Sequence, residues 1–245
     1  MTDGSATEER NERFYFRQLL SGRDFAVGDL LAAQMRNFVY VVGDRESGDA
    51  IVIDPAYDPL GVVELVENDG LTVTGALATH YHPDHVGGAM MGFDIMGCRE
   101  LLEQRSVPVH VHAADAEFVR KVTGLGESDL IAHHSGDHLQ VGAVRIELIH
   151  TPGHTPGSQC FLVDDRLLAG DTLFLDGCGR TDLPGGDPAQ LYESLTQRLA
   201  KVPDTATLYP GHLYSPAPSA SMGHTRRHNF VFAPKSAEQW LAMFG

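Results

Sequence analysis

Cysteine is scarce. The 245 residues hold three, Cys98, Cys160 and Cys178, an odd number with no CxxC pair. That excludes a disulfide framework and a thiolate-rich structural zinc site, and it reads as free thiols in a reducing compartment. Long apolar runs are missing, so no membrane span is expected. The opening "MTDGSATEERNER" lacks the apolar stretch of a secretory leader, and the chain reads as cytoplasmic. Basic residues are few: 18 Lys and Arg stand against 33 Asp and Glu, for a formal net charge of −15. A field of that sign repels phosphate backbones and anionic lipid, which argues against nucleic-acid and membrane partners and leaves a small-molecule substrate. A homodimer is the oligomer kept in view.

With 42% hydrophobic residues, a chain of this length can bury a sizeable core without covalent staples. Residues 1–13 read as a polar tail. Behind it, strand-like and helix-like segments alternate. "NFVYVVGD" (37–44) and "AIVIDP" (50–55) form a hairpin pattern, "PLGVVELVENDG" (59–70) has helical spacing, and "VTGALATH" (73–80) is a short buried strand. The Met- and Gly-rich "AMMGFDIMG" (89–97) reads as an excursion rather than a regular element. A helix (99–106), a strand (107–113) and a helix (115–124) follow. Next come hairpins around Gly142 and around Asp164-Asp165. "DPAQLYESLTQRLAKV" (187–202) is a helix with Asp187 as N-cap and Pro188 at its first position, followed by a strand (206–212) and a last helix, "SAEQWLAMFG". Strands that pair in hairpins and also alternate with helices suggest two mixed sheets with helices outside, an αββα sandwich.

Chemistry-bearing residues follow the apolar runs. "ATHYHPDHVGG" packs His80, His82, Asp84 and His85 into six residues. His154 lies in "TPGHTPGS", Asp171 in "AGDTLF" and His212 in "YPGH", each beside glycine or proline. Loops at strand ends are where a rigid sheet presents functional groups. On an extended chain His80 and His82 face one way, and Pro83 then turns Asp84 and His85 another way. The set suits two metal ions: His80, His82 and His154 on one, Asp84, His85 and His212 on the other, with Asp171 bridging. An all N and O donor set accepts Zn, Fe or Mn. Seven ligands shared by two ions leave positions for water and substrate. Such a pair lowers the pKa of a bridging water and polarises the group attacked. The remaining histidines, His110, His112, His133, His134, His138, His150, His224 and His228, are read as ordinary surface or core residues.

His80-Tyr-His82-Pro-Asp84-His85 resembles the HxHxDH motif of the metallo-β-lactamase superfamily. "TPGHTPGS", "AGDTLF" and "YPGH" look like its later motifs in their usual order, and together they span about residues 37–215. The resemblance implies an α/β fold, the four-layer αββα sandwich of two mixed sheets flanked by helices, with residues 14–245 as one such domain. It also implies a metal-bound hydroxide as nucleophile, with Asp84 and Asp171 as catalytic carboxylates. Asp171 stands where the best-known β-lactamases carry cysteine, so β-lactam hydrolysis is not the expected activity. "GCGRTDLPGGD" (177–187) is similar to the glyoxalase II-like hydrolases and the persulfide dioxygenases. The first group implies two divalent ions, zinc before iron or manganese, and hydrolysis of a small thioester or ester. The second implies one iron held by His80, His154 and Asp171. A lactonase or phosphodiesterase of the same fold is a further alternative. Arg180 is a candidate for a substrate carboxylate, against a local pair with Asp182. Tyr214 is a candidate hydrogen-bond partner for substrate.

Overall fold

The computed structural model describes residues 12–234 and 236–244. The expected tail lies almost wholly outside them, although Arg13 is placed and donates to the buried carboxylate of Asp44 (2.6 and 2.7 Å). The first half of the chain builds one six-stranded sheet. β1 (Phe14–Leu20) pairs with β2 (Phe38–Asp44), β2 with β3 (Asp49–Ile53), and β3 with β4 (Thr72–Leu77). β4 then runs parallel to β7 (Val109–His112), and β7 to β8 (Leu130–His133). The second half builds another six-stranded sheet in the order β14 (Ala220–Ser221), β13 (Thr207–Pro210), β12 (Arg166–Gly170), β11 (Gln159–Val163), β10 (Val144–His150), β9 (His138–Val141).

The layers follow from which faces are apolar. β2 is buried along its whole length. Phe38, Tyr40 and Val42 meet Ile146, Leu148 and Phe161 of the second sheet. Val39 and Val41 point the other way, into a core shared with α1 (Leu30–Met35), α2 (Pro59–Asn68), α4 (Cys98–Gln104) and α5 (Ala116–Thr123). A strand buried on both faces needs a continuous apolar run, which "FVYVV" supplies. The outer face of the second sheet packs Cys160, Leu167 and Ala169 against Leu191, Met222 and Trp240, from α6 (Pro188–Glu193), α7 (Met222–His228) and α8 (Ala237–Phe244). The expected αββα order is the one observed, and all three cysteines are free. No helix among the described residues is long and apolar enough to cross a membrane.

Three details differ from the sequence reading. Residues 88–95 are a regular hairpin, β5 (Gly88–Met90) with β6 (Phe93–Ile95), and not an irregular excursion. It packs so closely on its base that a Cβ at Gly88 would lie 2.4 Å from the Val122 carbonyl oxygen, so tertiary contact sets it rather than strand propensity. The helix expected over 187–202 begins as expected, with Asp187 accepting from Ala189 and Gln190. It then loosens into a π turn at Ser194–Arg198 and tightens into a 3-10 turn at Leu199–Lys201. β1, α1, β8, β14 and α7 had no counterpart in the sequence reading.

The two sheets are tied together at one end. The Gln159 amide donates to the Thr79 carbonyl, and its side chain to that of Ala78. The Phe38 amide donates to Gly211, and Leu213 to Arg36. The carboxyl ends of β4, β12 and β13 therefore meet along one edge. The turn carrying His154 enters this edge through Gly153, at φ +136 with room for no side chain: a Cβ would sit 2.3 Å from the Leu191 amide nitrogen. Gly153→Ala is expected to cost about 2–4 kcal/mol in urea unfolding, backbone strain and steric clash together. Gly70→Ala, at φ +83 in open space, should cost only about 1 kcal/mol.

Candidate metal centre

The candidate ligands reach the seam from four strand ends, those of β4, β10, β12 and β13, and hydrogen bonds to the scaffold fix how four of the imidazoles point. Thr79 follows β4 and donates its hydroxyl to Asp54 (2.7 Å). Its oxygen is then free to accept from His80 Nδ1 (3.0 Å), which leaves His80 Nε2 bare. His85, in the one-turn helix α3 (Pro83–Val86), uses Nδ1 on Asp54 (2.9 Å). His154 Nδ1 donates to the Arg180 carbonyl (2.7 Å) and His212 Nδ1 to the Met35 carbonyl (2.9 Å). Four imidazoles thus spend one nitrogen on the scaffold and turn the other inward, the usual preparation of a histidine ligand.

The inward atoms form groups that can hold a metal ion: His80, His82 and His154; His80, His85 and Asp171; Asp84, His85 and His212. His82 Nδ1 lies 3.0 Å from both His80 Nε2 and His154 Nε2. His85 Nε2 and His212 Nε2 are 3.3 Å apart. Asp171 stands between the groups, its carboxylate 3.4 Å from His85, 3.7 Å from His154 and 3.3 Å from His212. Its Oδ1 is buried with no hydrogen-bond partner. A buried carboxylate oxygen without a donor is costly unless a cation faces it. Lone pairs converging at 3 Å carry the same implication, so the donor set fits the metal that such motifs imply.

Electrostatics divide the site. Burial, reinforced by the neighbouring imidazoles, holds His80 well below the ordinary histidine range; burial and His154 bring His82 to about 4. Burial also lowers His154. Burial opposes charge on His85 too, but Asp84, Asp171 and Asp54 outweigh it and raise that imidazole to about 10. His212 is raised against its burial by Asp171. Without a cation, one half of the site is neutral imidazole and the other is an ion-pair network.

Sequence reasoning passed over three supporting residues. Asp54, at the end of β3 and at φ +55, orients His85 and Thr79. Asn37 donates to the Asp84 carboxylate (3.1 Å) and backbone carbonyl (2.9 Å). Asp115 accepts from the Tyr81 amide, the Thr155 hydroxyl and the Gly157 amide, so one carboxylate ties the His80–His82 turn to the His154 turn. The two candidate substrate residues are both at the site. Arg180 forms a two-pronged pair with Asp182 (2.7 and 2.6 Å), so its fork is engaged. Tyr214 stacks on His212, with ring centres 4.6 Å apart. The other histidines lie elsewhere: His110 bonds His133 (2.8 Å), His112 stacks on His150, and His224 on His228. Among the described residues none of them joins the ligand groups.

Residues 34–212 match the model of the metallo-beta-lactamase superfamily. The chain belongs to that superfamily. It is 31% identical over 208 residues to the human mitochondrial persulfide dioxygenase ETHE1, covering 81% of this chain and 74% of that one. It is 28% identical over 206 residues to a probable polyketide biosynthesis zinc-dependent hydrolase, BaeB, of Bacillus velezensis, covering 84% and 85%. The crystal structure of ETHE1 from Myxococcus xanthus superposes with a TM-score of 0.76 at 29% identity, over 94% of this chain and 89% of that one. The superfamily's enzymes are metallo-hydrolases or related oxidoreductases, and this site carries their histidine and aspartate clusters.

Two outcomes are expected. Asp171→Ala, which removes the carboxylate facing every group, should lower the metal content of purified protein measured by mass spectrometry; unchanged content would refute a shared-ligand role. Zinc titrated calorimetrically into metal-free protein at pH 7, in buffers of different ionisation enthalpy, should release no proton from the His80/His82/His154 group. It should release protons from the Asp84/His85/His212 group, because His85 is protonated below about pH 10. Affinity of that second group should therefore rise with pH.

Proposed function

We propose that this protein is a metal-dependent hydrolase of a small thioester or ester, with zinc first among the candidate metals and two ions in the centre. The observation that carries this reading is Asp171, a half-buried carboxylate set between two separate histidine-containing groups, with its buried Oδ1 left for a cation. His80, His82 and His154 would hold one ion and Asp84, His85 and His212 the other. Metal held there supplies Lewis acidity and water acidified to near-neutral pKa, the chemistry that attack on a carbonyl requires.

The chain's own residues then have distinct tasks. Asp54, Arg180 through its carbonyl, and Met35 through its carbonyl keep the imidazoles in the tautomer that presents a lone pair. Asp84, held by Asn37, and Asp171 face the same space and are the groups at which a proton released from water is held. A cavity of about 960 Å³ opens on His82, Asp84, His154, Asp171 and His212, which gives substrate access from one side. Tyr214 borders that access.

A second reading is favoured by the relatives named persulfide dioxygenase: one iron on His80, His154 and Asp171, a two-histidine, one-carboxylate set of the kind that serves oxygen chemistry. Metal analysis combined with two assays separates the readings. Hydrolysis of thioesters by protein with about two ions per chain, and no oxygen uptake with glutathione persulfide, is expected. One iron per chain with oxygen consumption on persulfide would replace the hydrolase by the dioxygenase. Turnover of lactones or phosphodiesters alone would move the substrate class within the same fold.

A further inference from the structure

Around the ligands the cavity lining is largely apolar. Met35, Met90, Met91, Phe174, Leu183 and Tyr214 are part of it. Several apolar groups around this mouth are left in water: Met91 is 70% exposed, Tyr214 54%, and Phe93, on the same hairpin as Met91, 57%. Exposed apolar surface gathered at the entrance of a site marks what the site receives. The hairpin carrying it is built to hold its place. Its base is wedged by Gly87 and Gly88, whose missing side chains let the backbone approach Gly97 and Val122, and the Tyr57 amide donates to the Met96 carbonyl (2.8 Å). Its tip turns at Met91 and Gly92, both at positive φ (51° and 83°), so Met91 projects from a constrained turn. Methionine suits this task, since its flexible thioether adapts to the shape of an apolar guest.

Charge points the same way. Arg180 is the one Lys or Arg among the described lining residues, and its guanidinium is engaged by Asp182. Asp176, outside the ligand set, lines the same space, on a chain of net charge −15. A tripeptide thiol such as glutathione brings two carboxylates and finds no free cationic side chain in that lining to receive them.

We infer that the substrate carries an apolar acyl chain several carbons long, seated against the Met90–Phe93 tip and Tyr214, on a thiol without free carboxylates. This deepens the thioester reading above and rests on it for the reaction. The step is ordinary hydrolysis: the carbonyl carbon gains an oxygen from water, the C–S bond breaks, and the sulfur leaves with the electron pair and takes up a proton.

Two experiments on the metal-loaded full chain test this. The first measures kcat/KM for acetyl to octanoyl thioesters of N-acetylcysteamine, an uncharged thiol, and for the same acyl groups on glutathione. The value should rise roughly fourfold per methylene beyond butyryl, within the span of the tip, and the uncharged thiol should win by at least about tenfold. A Met91→Ser/Phe93→Ser double variant should cut the octanoyl-to-acetyl ratio about tenfold with metal content unaltered, since two apolar contacts are lost. The second measures binding of non-hydrolysable S-alkyl-N-acetylcysteamine thioethers and of S-hexylglutathione by calorimetry. Tighter binding with alkyl length, and weaker binding of the glutathione conjugate, supports the apolar ligand independently of turnover. Hydrolysis without chain-length dependence, or with glutathione preferred, overturns this inference and leaves the hydrolase standing. Chain-length-dependent thioether binding with no thioester turnover overturns the hydrolase and leaves the apolar ligand. Neither binding nor turnover overturns both.

Discussion

The structure depends on a seam. Two sheets from the two halves of the chain are joined by backbone hydrogen bonds at one end, where Gln159 meets Thr79 and Phe38 meets Gly211. Beside those bonds the polypeptide leaves its strands and delivers imidazole or carboxylate. Seven polar groups are thereby taken from water into a small volume, where each would be expensive alone. Part of that cost is offset by hydrogen bonds to the scaffold, as with Asp54 under His85 and Thr79. The rest falls on atoms with no hydrogen-bond partner, notably Asp171 Oδ1. A fold that keeps such an arrangement makes physical sense when a cation completes it.

The seam also explains the asymmetry of the surroundings. Behind the ligands the chain packs closely at Gly153 and Gly170, where a methyl group would strike Leu191 and Thr79. In front lies an open, largely apolar space bordered by a short hairpin and by Tyr214. Rigidity is placed where donor geometry must be exact in register, and adaptable methionine where a guest is to be received.

Much of this is legible in the sequence because the metal chemistry is local. Four donors in six residues around Pro83 identify themselves, and His154, Asp171 and His212 share the signature of an apolar run ending in a glycine- or proline-flanked polar residue. The sandwich is legible for the same reason, since "FVYVV" reads as a strand buried on both faces. What escaped was set by tertiary contact. Asp54 ends "IVID" as the ligands end their strands, but its partners are remote in sequence. Asp115 looks like a helix cap, yet its side chain caps nothing and reaches instead to Tyr81, Thr155 and Gly157. The first strand and turn of the hairpin at 88–95, Gly-Ala-Met-Met-Gly, hold no strong strand former, and the hairpin owes its shape to the glycine contacts at its base. Arg180 in sequence could serve a substrate or Asp182, a choice that only side-chain placement makes.

The central claim is that these side chains form one centre for two cations. Anomalous X-ray scattering from crystals of zinc-loaded protein tests it most directly. The account predicts two peaks roughly 3.5–4 Å apart, one among His80, His82 and His154 and one among Asp84, His85 and His212, with Asp171 touching both. A single peak, or zinc bound only at the His110–His133 pair, would contradict it.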